Sequence, residues 1–92
     1  RIQGRCRQSS IMSAIQPVIE VLHNVAPASA NYFEPGVGQL VTNLPRSTPW
    51  QRFAVDVTIP AGRNVWSVYF RTNGLAAGQS VEWDDISIRE RL

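Results

Sequence analysis

The alternation of apolar and polar side chains in the second half of the chain most constrains what it can fold into. In Trp50-Gln51-Arg52-Phe53-Ala54-Val55-Asp56-Val57-Thr58-Ile59, the residues Phe53, Val55, Val57 and Ile59 face one way, and Arg52, Asp56 and Thr58 face the other. A period of two marks a half-buried β-strand. Pro60-Ala61-Gly62 then supplies a turn, because proline ends the pairing and glycine tolerates a positive φ. Asn64 to Thr72 alternates again, directing Trp66, Val68 and Phe70 to the core and Ser67, Tyr69 and Arg71 outward. After Asn73-Gly74 and a loop to Gly78, Val81 to Arg89 forms a closing strand. Regular alternation there puts Asp84, Ile86 and Ile88 on one face and Trp83, Asp85 and Ser87 on the other. A bulge at Asp84-Asp85 would reverse the facing of Trp83.

The first half is read by the same logic. Arg1 to Gln8 alternates strictly, with Ile2, Gly4 and Cys6 on one face and Arg1, Gln3, Arg5 and Arg7 on the other. Ser9 to Asn24 carries apolar residues at helical spacing, but Pro17 would break a helix there. Gln16 to His23 therefore reads as an edge-tolerant strand with Ile19 and Val21 inward. Val25 to Pro49 holds four prolines and reads as a long loop with at most one short strand around Leu40, Val41 and Leu44. Taken together, the 92 residues predict one all-β domain, an antiparallel β-sandwich.

Composition narrows the function classes. Every one of the nine basic residues is Arg, the net charge is only +2, and no block of like charges occurs, which argues against nucleic acid as partner. The Arg1, Arg5 and Arg7 face reads as a solvated strand face. Cys6 is the one cysteine, so no intrachain disulfide forms, and a buried small side chain is its expected role. No run approaches the length of a membrane span, so no membrane insertion is expected.

Trp50-Gln51-Arg52-Phe53, Ile59-Pro60-Ala61-Gly62 and the closing Glu82-Trp83-Asp84-Asp85-Ile86-Ser87-Ile88 occur in an order that resembles the C-terminal part of galactose-binding-like jelly-roll carbohydrate-binding modules. Domains of this kind also occur on phage tail and fibre proteins. The resemblance implies a jelly-roll sandwich in a secreted, extracellular or virion protein, with a glycan as ligand. It also implies a non-catalytic role in carbohydrate binding or adhesion, the alternative being a structural or oligomerisation domain of a phage tail or fibre with no sugar site. Such modules have further N-terminal strands, whereas this chain opens directly on one. The expectation is a sandwich incomplete at its N-terminus, which a homo-oligomer or a completing chain would fill.

Sugar recognition needs an aromatic face to stack on the C–H side of a pyranose and planar polar groups for its hydroxyls. Tyr69 and Arg71, two apart on an outward strand face, meet that requirement, and Tyr32 in the long loop is a third candidate ligand-binding residue. A solvated strand face with an amphipathic Tyr is the simpler account of Tyr69 and Arg71. Trp50 and Trp66 are assigned to packing. Asp84, on the same face as Ile86 and Ile88, needs a partner. The resembled modules imply a structural calcium there as cofactor, and an arginine is the other partner open to it. Asp84 and Asp85 on opposite faces could not flank one glycosidic bond, and His23, the single histidine, reads as a surface or loop-edge residue with no nucleophile motif beside it. No enzyme activity is expected.

Overall fold

The computed structural model describes residues 1–10, 15–25, 35–74 and 77–90. Among these residues six strands follow in chain order: β1 Ile2–Gln8, β2 Gln16–Asn24, β3 Gly38–Asn43, β4 Gln51–Val55, β5 Asn64–Asn73 and β6 Val81–Ile88. They form two antiparallel three-stranded sheets, one in the order β4-β1-β6 and the other β3-β2-β5. The sheets pack face to face as a β-sandwich. The short strand inside the expected 25–49 loop is β3.

The core lies between the sheets. Ile2, Cys6 and Phe53 come from one sheet and Ile19, Val21 and Leu44 from the other side, with Val55, Val57, Ile59, Val68 and Phe70 packed against them. Ile19 and Val21 are essentially sealed from solvent, and complete burial of each such side chain stabilises the fold by about 1.5–3 kcal/mol. Cys6 is likewise fully buried, and burial pushes its thiol up, away from reactivity. Trp66 lies in β5, but its side chain falls outside the described ones.

Two sequence expectations are corrected here. β2 is the central strand of its sheet, not an edge. Pro17 is tolerated because pairing with β3 begins only at Val18, so the missing N–H interrupts no ladder on that side, while the Pro17 carbonyl accepts from Leu44 N at 3.0 Å. The second correction concerns β6. Its register with β1 shifts between Gln3 and Arg5, with Gln3 opposite Ser87 and Arg5 opposite Asp84, so that one residue, Gly4, faces both Asp85 and Ile86. Asp85 takes a left-handed φ of 54° at this bulge.

The bulge refaces the strand. Trp83 now pairs with Cys6 and turns inward, meeting Phe53 and Phe70 edge-on at centroid distances of 5.9 and 5.2 Å. Ile86 and Ile88 keep to the same inner face, while Asp84 turns outward. Asp84 therefore does not share a face with Ile86 and Ile88, and Trp83 does.

Candidate functional site

On the outer face of the β4-β1-β6 sheet, the arginines of β1 meet the acids of β6. Arg5 reaches Asp84 at 2.6 Å and Asp85 at 3.2 Å, and Arg7 reaches Glu82 at 3.2 Å. Arg1 holds Asp56 through two contacts of 3.0 and 3.1 Å. Trp50 packs under this row, with the Arg5 and Arg7 guanidinium carbons 4.8 and 4.6 Å from its ring centroid. The basic face of β1 is thus a partly solvated strand face, as expected, and Trp50 has a packing role.

The same row decides the chemistry of Asp84. Its Oδ2 accepts from Arg5 and its Oδ1 from the Asp85 backbone N–H at 2.9 Å. The Arg5 hydrogen bond, helped by that backbone donor, holds the Asp84 carboxyl below the usual carboxylate range. Both oxygens are committed and a cation sits on one of them, so the residues present do not fit a calcium ion, which needs six to eight oxygen donors. Among the described residues, no group of three metal-ligating side chains gathers anywhere. The bulge also brings Asp84 and Asp85 to the same guanidinium rather than to opposite faces. An ionised, arginine-bound Asp84 is the reverse of the raised carboxyl that a glycosidase acid needs.

The second outer face, on the β3-β2-β5 sheet, holds the candidate ligand residues. Tyr69 and Arg71 both face outward from β5, and their cross-strand partners on β2 are Glu20 and Val18. On the far side of β2, Val41 pairs with Glu20 and Asn43 with Val18. One row therefore reads Val41, Glu20, Tyr69, and the next Asn43, Val18, Arg71. Tyr69 is 41% exposed and Val41 50%, whereas Glu20 between them is 1% exposed.

Glu20 is the residue that organises this face. A buried carboxylate requires a counter-charge, and Arg71 provides it, its Nη2 donating to Oε2 at 3.0 Å while Nη1 donates to Asn73 Oδ1 at 2.8 Å. Among the described residues, Glu20 Oε1 and Arg71 Nε have no hydrogen-bond partner. Arg71 is consequently fixed in direction from below while its side chain remains 40% exposed. Glu20 was not among the sequence candidates. Its signal was a lone acid inside the apolar run Pro17-Val18-Ile19-Glu20-Val21-Leu22, since β2 is shielded on both faces and reads as almost continuously apolar. Tyr32 lies outside the described residues.

His23 also departs from the sequence reading. It is buried on β2, not at the surface, and its Nδ1 accepts from Arg63 Nε at 2.6 Å. Burial, with the neighbouring Arg63 charge, lowers its pKa below the ordinary histidine value. Arg63 also donates to the His23 and Gly36 carbonyls, so it clasps the start of β5 to the turn before β3.

Between the sheets, at the end where β1 begins, an open cleft of about 870 Å³ is floored by aliphatic side chains, among them Val21, Val57, Ile59 and Val68. Compared with family models, curated proteins and solved structures, the chain finds no match in any of the three.

Proposed function

We propose that this domain binds carbohydrate, without catalysis, on the outer face of the β3-β2-β5 sheet. The observation that carries the reading is the exposed Tyr69 ring standing beside an Arg71 that a buried Glu20 holds in place. In this role, Tyr69 stacks on the apolar side of a sugar ring. Arg71 donates to ring hydroxyls, and Glu20 acts as a positioning residue that sets its direction.

A glycan array tests this. Tyr69→Ala should abolish retention while the circular dichroism spectrum is unchanged, because Tyr69 lies on an exposed face. An unaltered chain that retains no glycan, even at millimolar sugar, would exclude the reading.

A further inference from the structure

The β4-β1-β6 sheet ends on β6, which among the described residues pairs only with β1. An unpaired strand carries a row of backbone N–H and C=O groups ready to pair with another chain. On its inner side, Ile86 is 39% and Ile88 54% exposed, although both face the core layer. Across the cleft, Val65 of β5 is 48% exposed. An open strand edge and an open aliphatic face thus coincide along one side of the sandwich.

The outer side of β6 adds a charge. Glu82, Asp84 and Asp85 are answered there by two guanidiniums, those of Arg5 and Arg7, and each carboxylate side chain stays about half exposed, at 54%, 48% and 56%. Along Glu82 to Asp85, three acids against two bases leave this stretch of the edge negative, ahead of Arg89 beyond the strand's end.

We propose that the free edge of β6 accepts one more strand, from a partner protein whose extended segment alternates aliphatic with basic side chains. Backbone hydrogen bonds to β6 would supply affinity, and the alternate side chains specificity. The aliphatic set enters the cleft beside Ile88 and Val65, and the basic set lies along Glu82, Asp84 and Asp85. A second copy pairing β6 to β6 would set carboxylate against carboxylate, which is destabilising across a strand pair. An aliphatic small molecule would fill the cleft but leave the edge groups unmade. This inference is independent of sugar binding.

Two synthetic ten-residue peptides test it on the full chain. Both alternate valine with a charged residue, lysine in one and glutamate in the other. The lysine peptide should bind and slow amide exchange along β6, the glutamate peptide should bind at least about tenfold more weakly, and raised salt should narrow the difference. Ile88→Asp should weaken the lysine peptide by about tenfold or more with the spectrum of the fold retained, because Ile88 is already half exposed. Equal binding of both peptides, no binding by either, or protection of β6 by self-association in light scattering without peptide would each overturn the proposal.

Discussion

Gly4 lies so close beneath Asp84 that a Cβ at Gly4 would stand 3.0 Å from the Asp84 carbonyl oxygen, and 2.8 Å from Ile86 Cδ1. A side chain at Gly4 would crowd the bulge in β6, pushing on the Asp84 carbonyl and the Ile86 side chain. Gly4→Ala should therefore destabilise the domain by about 1–3 kcal/mol, the usual cost of forcing atoms into a packed site. Urea denaturation checks this, and the near-ultraviolet signal of Trp83 should change with it, since the bulge is what turns that ring inward.

Glu20 gives a sharper energetic test. Arg71→Met removes the counter-charge of a carboxylate that is 1% exposed, and stranding a buried charge in this way costs about 3–5 kcal/mol. The double substitution Glu20→Leu with Arg71→Met should recover most of that loss, because an apolar pair of similar volume replaces an ion pair at little cost. A double-mutant cycle in chemical denaturation reads both numbers.

Gly38 is held to glycine by His23. A Cβ there would fall within the His23 imidazole, its distance to Nδ1 being 2.9 Å, so Gly38→Ala must push the ring and break its hydrogen bond from Arg63. A loss of about 1–3 kcal/mol is expected, visible as a lowered thermal midpoint.

His23 and Asp84 each contribute to the response to acid. The folded pKa of His23 lies below its ordinary value, so the unfolded chain takes up this proton first. Stability is full above about pH 6.5 and declines as pH falls from there towards the folded pKa. Asp84 acts further down. Its folded pKa is also depressed, so its contribution is present above about pH 4 and is lost as pH falls through the folded value. Thermal midpoints recorded from pH 8 to pH 3 should show two separate declines, and His23→Asn should remove the upper one.

The sequence made the sandwich legible because period-two alternation is a local signal, and five of the six strands carry it or a proline-marked variant of it. The facing of Trp83, Asp84 and Asp85 was not legible in the same way. It depends on one extra residue opposite Gly4, and alternation within β6 gives no sign of a bulge that a partner strand imposes. Glu20 was passed over and His23 misplaced for a related reason. Whether a polar residue on a strand meets solvent depends on what packs on that strand, and β2 is covered on both faces. The outward facing of Tyr69 and Arg71 was legible because alternation holds along β5 from Ser67 to Asn73, beyond the shift opposite His23.

The claim that the β3-β2-β5 outer face binds sugar is tested most directly by mapping amide chemical shifts while a retained glycan is added. The shifts should move at Val41, Glu20, Tyr69 and Arg71, saturate together, and stay still in Tyr69→Ala. Movement confined to the cleft or to the outer face of the β4-β1-β6 sheet would contradict it.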